Sequence, residues 1–272
     1  MKNMIADATH FQEEVGTGIL AKKVQSTKEL LECFSYSCSH GIRSPLKSMA
    51  GLVMLMKTNT RMTADEETLC LSLLNNSVKH QQSILCHFHD LKLNSRTDLV
   101  SEKIQVRSLL TRILKGCRSR LGEHKITLEI ESRKKSELWT QKQRLEIVLT
   151  KLLSNAITFQ DKRNKDKKIS VFVTTSSAGC SIVIIDNGIG IDVSAQQKMF
   201  DLFYRGTNES TGAGLGLFVV RQVIEKMNGI VQYKASSPGS TFSIWIPNDN
   251  GGQTLPLHRW NRPSDLMKAN NK

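Results

Sequence analysis

No run of about 18 apolar residues occurs anywhere in the 272-residue chain, so no segment is read as crossing a membrane. Met1 to Gln12 contains no apolar core of the signal-peptide kind. The six cysteines (Cys33, Cys38, Cys70, Cys86, Cys117 and Cys180) form no C-x-x-C pair and no framework spacing. Reduced, partly buried thiols in the cytoplasm are the expectation. No internal repeat is evident. No helix-turn-helix pattern and no interleaving of aromatic and basic residues accompanies the net charge of +13 and pI of about 9.6. The positive charge is scattered apart from Lys162–Lys168, so nucleic acid is not the expected partner. An anionic ligand and an acidic protein partner account for the balance instead.

What is present is the composition of a soluble globular protein, 39% hydrophobic and 23% charged, with length for one large or two modest domains. Residues 1–25 read as a polar lead-in, too short to build a sensory domain. Residues 26–57 read as one long helix, capped by Ser26 or Thr27 with Glu29 near its positive end. A polar turn over Thr58–Ala64 leads to a second helix from Asp65 to about Leu93, where Leu69, Leu73, Ile84, Phe88 and Leu91 recur near a helical period. Two such helices make an antiparallel hairpin with an uncovered apolar stripe, which pairing with a second copy into a four-helix bundle would cover.

After a polar linker the pattern becomes short strands alternating with helices. Strands are expected at Lys103–Val106, Lys125–Ile130, Leu138–Thr140, Ile169–Thr174, Ser181–Asp186, Ile230–Tyr233 and Thr241–Ile246. Helices are expected at Val106–Leu121, Lys142–Phe159 and Leu215–Met227, the last stopped by Gly229. The fold class is therefore α+β: a helical hairpin over 26–97, then an α/β sandwich over 103–247 with helices on one sheet face, then a disordered tail over 248–272.

Four stretches carry candidate chemistry. Ser39-His40-Gly41-Ile42-Arg43-Ser44-Pro45-Leu46 sets a histidine and a proline in an amphipathic helical pattern. A proline inside a helix removes a donor and clashes one turn back, so a bend is expected there. Asp186-Asn187-Gly188-Ile189-Gly190 follows a strand. Its glycines permit close backbone approach, and its carboxylate can accept from an exocyclic amine; an ordinary Asx turn reads equally well. Gly212-Ala213-Gly214-Leu215-Gly216-Leu217 opens a helix, where backbone amides bind phosphate oxygens. No strand immediately precedes it and no acidic residue follows at the right spacing, which removes a dinucleotide fold. Lys151-Leu152-Leu153-Ser154-Asn155-Ala156 places Asn155 opposite an apolar helix face, where its carbonyl can meet a hard cation.

In this order the blocks resemble the catalytic core of sensor histidine kinases, over roughly residues 26–247. The first matches the family's Ser-His-Glu-Leu-Arg-Thr-Pro-Leu phosphoacceptor box at His40, Ile42, Arg43, Ser44, Pro45 and Leu46; the others match the ATPase fold shared with gyrase, the mismatch-repair ATPases and a heat-shock chaperone. The resemblance implies a protein-histidine kinase of a two-component system. It would use ATP and Mg²⁺, phosphorylate His40 and pass the group to an aspartate on a response regulator receiver domain. It implies a cytoplasmic homodimer, with the input supplied by a separate sensory protein. It further implies that Asn155 holds Mg²⁺, Asp186 recognises the adenine amine, and Gly188 and Gly190 shape the base pocket beside Phe159. Gly212, Gly214, Leu215 and Gly216 would form the phosphate lid over Phe200 and Phe203, with Arg205 near a phosphate.

Two positions depart from the family. Gly41 stands where an acidic residue normally orients the histidine, and glycine also weakens the helix by about 1 kcal/mol relative to alanine. Lys151 stands where histidine kinases usually have asparagine and the hydrolytic relatives a glutamate base. Its ammonium either neutralises phosphate charge or reaches water. A degenerate ATP-binding scaffold is therefore the alternative reading, with an ATP hydrolase disfavoured by Lys151. Cys86-His87-Phe88-His89 does not read as a metal site, because neighbours one and two apart on a helix do not share a face.

Overall fold

The computed structural model describes residues 41–96, 98–123, 125–133, 138–206 and 213–249, and by packing the chain divides into two units, Met1–Ile84 and Leu85–Lys272. The expected lead-in, the cap at Ser26 or Thr27, His40, Gly212 and the tail from residue 250 onward lie outside the described residues.

In the first unit, helix α1 covers residues 41–58 and continues through Pro45. Helix α2, Ala64–Ser95, begins with a reciprocal cap: the Thr63 amide donates to Glu66 Oε2 at 2.8 Å and the Glu66 amide to Thr63 Oγ1 at 3.3 Å. Gln81 Nε2 donates to the Ile42 carbonyl at 2.9 Å, tying the two helices. Leu46, Met54, Leu69 and Leu73 are exposed, so the first turns of the apolar stripe expected on α2 are uncovered in the single chain, whereas Ile84 further along it is fully buried.

The second unit contains the last three turns of α2, then β1 (Glu102–Ile104), α3 (Val106–Gly116), α4 (Arg118–Glu123), β2 (Thr127–Arg133), β3 (Leu138–Thr140), α5 (Lys142–Thr158), β4 (Lys168–Thr175), β5 (Gly179–Asp186), α6 (Val193–Gln196), α7 (Gly216–Lys226), β6 (Ile230–Ala235) and β7 (Ser240–Pro247). Five strands form one sheet in the order β2-β4-β5-β7-β6, with β2 parallel to β4 and the remaining neighbours antiparallel. Alternation buries one face: Ile169, Val171 and Val173 of β4, Ile182 and Ile184 of β5, and Ile244 and Ile246 of β7. These share one core with Leu145, Leu149, Leu152 and Leu153 of α5 and Val219 and Val223 of α7. Each such side chain contributes about 1.5–3 kcal/mol on burial, which fixes the helices and the loops between them.

Four details differ from the sequence expectation. The helix from Val106 splits at Cys117 (φ −95°, ψ 0°), whose amide bonds back to Leu114 O and ends α3. Strand β2 starts two residues late because Lys125 has φ 52° and closes a turn onto Gly122 O at 3.1 Å. Strands β1 and β3 pair with each other in a separate antiparallel ribbon. At the end of α7, Asn228 takes the left-handed conformation (φ 53°) and the Gly229 amide reaches Ile224 O at 2.9 Å. Gly229 is needed for space, because a Cβ there would stand 2.5 Å from Trp245 O.

Candidate nucleotide site

The loop after β5 is built around Asp186, a carboxylate only 5% exposed. Its Oδ1 accepts from the Gly188 amide at 2.9 Å, and the backbone of Ser240 also bonds to it. Burial nonetheless dominates and pushes its pKa up to about 6. Asn187 pins the loop from outside, donating to Asp166 O at 2.7 Å and accepting from the Lys168 amide at 2.8 Å. Gly188 cannot carry a side chain, since a Cβ would meet Phe159 O at 2.2 Å. The Ile189 amide donates to that same carbonyl at 3.0 Å, so the end of α5 and the loop are stitched together. The Phe159 carbonyl, Asp186 and Gly188 thus lie together, with Gly190 (φ 72°) turning the chain beside Gly239.

The other side of the site is the start of α7. Gly214 (φ 68°) lies flat on the Phe203–Tyr204 backbone, where an added Cβ would stand 2.6 Å from the Phe203 carbonyl carbon. Phe203 itself has φ 61°, and Phe200 packs against the core, so the Phe200–Arg205 block supports the glycine turn. Arg205 is exposed. Leu215, fully buried, anchors the start of α7. A Cβ on Gly216 would lie 3.8 Å from both Asn155 Oδ1 and His87 Nε2. The Asn155 carboxamide therefore faces the first turn of α7, where free amides favour anions. An amide carbonyl there suits a hard cation shared with phosphate oxygens, so the residues present fit Mg²⁺. Among the described residues no cluster of three or more His, Cys, Asp or Glu forms a separate metal site.

The sequence reading missed a third wall, the last turns of α2. His87, Asp90 and Asn94 follow the i, i+3, i+7 spacing of one helix face. His87 is buried near Asn155 and Gly216. Asp90 Oδ2 pairs with Lys151 Nζ at 2.6 Å, both side chains under one fifth exposed. Asn94 Oδ1 accepts from Arg144 Nε at 3.0 Å, and its amide donates to Gln222 O on α7 at 3.2 Å. Arg144 is 3% exposed and also donates to the carbonyls of Asn94 and Arg96 and to Gln141, with its pKa lowered by burial. Lys151 is therefore not a solvated side chain: its ammonium rests on Asp90 of α2.

The remaining candidates lie in the first unit. Gly41 is half-buried; Arg43 and Ser44 are exposed, and the Ser44 carbonyl accepts from Ser48 Oγ at 3.2 Å. His40 and Gly212 lie outside the described residues.

Residues 140–250 match the family model of the histidine kinase-, DNA gyrase B-, and HSP90-like ATPase. The chain is 26% identical over 255 residues to the autoinducer 2 sensor kinase/phosphatase LuxQ of Vibrio vulnificus, covering 89% of this chain and 29% of that protein. It spans about a third of the length of the curated relatives it matches. In fold it is similar to the histidine kinase AdeS of Acinetobacter baumannii (TM-score 0.62, 23% identity, 78% of this chain and 98% of that one). It is also similar to the histidine kinase ThkA, solved in complex with the response regulator protein TrrA (TM-score 0.65, 17% identity, 81% and 64%). These findings support a sensor histidine kinase catalytic core and an ATPase domain of the histidine kinase type.

Proposed function

We propose that the chain is the working core of a two-component histidine kinase, moving the γ-phosphoryl group of ATP to His40 and then to an aspartate of a response regulator receiver domain. The observation that carries this reading is that Asp186 and Gly188 stand against the Phe159 end of α5, while Asn155 on the last turn of that helix lies beside Gly216 at the start of α7. Asp186 accepts from the exocyclic amine of adenine, and Phe159 borders the base. The backbone amides at the start of α7 would face the phosphates, with Gly212, Gly214 and Gly216 forming the glycine-rich lid segment and Arg205 at its edge. Asn155 would hold Mg²⁺, which when bound neutralises charge on the transferring phosphoryl group. A neutral ring nitrogen of His40 attacks the γ-phosphorus and the bond to the ADP leaving oxygen breaks. Arg43 follows the histidine by three residues, and Ser44 would orient a water in a phosphatase step.

The functional domains of this reading are residues 26–97 for dimerisation and phosphotransfer and 103–247 for ATP binding. The exposed stripe of α1 and α2 supports a homodimer, and the partner solved with ThkA supports the class of receiver. Input from a separate sensory protein and action in the cytoplasm complete the reading; among the described residues no helix is long and apolar enough to cross a membrane.

A second reading, a nucleotide-binding scaffold with little autokinase activity, is favoured by Gly41 and by the engagement of Lys151 with Asp90. Incubation with γ-labelled ATP and Mg²⁺ separates the two. The kinase acquires acid-labile, base-stable label; a scaffold binds nucleotide by calorimetry and stays unlabelled.

A further inference from the structure

Lys151 lies one turn before Asn155 on α5, so the two side chains share a helix face and the ammonium stands beside the space assigned to the phosphates. Asp90 already occupies that ammonium at 2.6 Å. The pair sits within a longer contact between α2 and the elements of the core. Along α2, His87 lies beside Gly216 at the start of α7, Asp90 meets Lys151, and Asn94 meets Arg144, so α2 runs antiparallel along α5. Asn94 also bonds α7 through Gln222 O, and Leu91 and Leu93 pack against the core. The segment is thus held independently of Asp90, which leaves the carboxylate free for another role.

We propose that Asp90 is a positioning residue that competes with the nucleotide for Lys151: the ammonium rests on the carboxylate in the empty site and turns to the terminal phosphates when ATP binds. The inference rests on the nucleotide reading of the Asn155 side given above. A half-buried carboxylate that loses its cation to a ligand opposes that ligand's binding, so Asp90 lowers affinity for triphosphate while leaving the base site untouched. Exchange of one anion for another on Lys151 also makes the α2 face sensitive to nucleotide. The dependence is reciprocal: whatever lifts Asp90 away from α5 tightens the site for ATP by the same factor.

The test is calorimetric titration of the full chain with Mg-ATP and with AMP, for wild type, Asp90→Asn, Lys151→Met and the double variant. Asp90→Asn is expected to tighten ATP by about fivefold or more, the lower range of a coupling between sites, and to leave AMP unchanged. Lys151→Met is expected to weaken ATP, and in its background Asp90→Asn gives no gain, because the carboxylate acts through the lysine. Unchanged or weaker ATP binding by Asp90→Asn overturns the proposal, as does a gain that persists with Lys151→Met, which would mean direct repulsion of the phosphates. A parallel change in ATP and AMP also overturns it, since that reports a general structural effect. If wild type binds neither nucleotide, the nucleotide reading itself fails and takes this inference with it. A melting curve for each variant shows that the fold is retained, and Asp90→Ala serves if Asn disturbs it.

Discussion

The two units of the chain solve the problem of apolar surface in opposite ways. The second encloses its own: nearly every large aliphatic residue of α5, α7 and the inner sheet face is buried, with Leu149, Leu153, Ile182 and Val223 at no more than 1% exposed. The first shows Leu69 at 59% exposed and Met54 at 67% on helices with little else to hide them. A sheet covered by helices completes a core within one chain, whereas two helices side by side leave a stripe that only another surface covers. The chemistry divides in the same way. Asp186 and Asn155 are anchored on elements of the closed core, whereas Gly41–Leu46 lie on a helix of the unit with the exposed stripe.

The largest expected effect sharpens the contrast within the second unit. Leu149→Ala should lower stability by about 2–5 kcal/mol, read as a fall in the midpoint of denaturant unfolding. Leu69→Asp with Leu73→Asp in the first unit should leave the unfolding of the second unit in place and convert a dimer into a monomer by light scattering. A dimer that survives both charges breaks the account of the exposed stripe.

A smaller effect concerns Asp186. Its folded pKa of about 6 lies above the ordinary carboxylate value of 3.8, so burial favours the neutral form. Its contribution to stability is greatest at low pH and declines as pH rises between those two values, because there the folded state binds more protons. Accepting from an adenine amine requires the opposite, ionised form. Nucleotide affinity should therefore rise as pH increases through about 6 and level off above it, with a proton released on binding near pH 5.5. Asp186→Asn should weaken ATP by about 1–3 kcal/mol and abolish that proton release when titrated with adenosine, which has no phosphate to titrate. Equal affinity of wild type and variant would remove Asp186 from the site.

The smallest effect is at Gly41. Gly41→Glu restores both a carboxylate beside His40 and helix propensity, and should raise autophosphorylation at least about tenfold. Gly41→Ala restores only the propensity. An equal gain from alanine would place the defect in helix geometry rather than in chemistry.

Much of the second unit was legible because its signals are local. Period-two runs such as Ile169–Thr174 and period-3.6 runs such as Leu145 to Leu153 identify strands and helices without knowledge of partners. The glycine blocks were legible because close approach has no substitute: Gly188 stands against Phe159 O and Gly214 against Phe203. Details set by single backbone angles, as at Cys117, Lys125 and Asn228, were not. Nor was the α2 wall. Asp90 is 61 positions from Lys151, and Asn94 is 50 from Arg144, so nothing local distinguishes these charges from a solvated helix face. The i, i+3, i+7 spacing of His87, Asp90 and Asn94 was the available signal, and it gains meaning only beside a second helix that carries Lys151 and Arg144.

The central claim is transfer from ATP in the second unit to His40 in the first. It is tested most directly by incubating wild type and His40→Gln with γ-labelled ATP and Mg²⁺ and mapping the labelled peptide. The account predicts acid-labile label on the peptide containing His40 in wild type and none in His40→Gln, with ATP binding equal in both. Label that persists in His40→Gln, or wild type that binds ATP yet stays unlabelled, would contradict it.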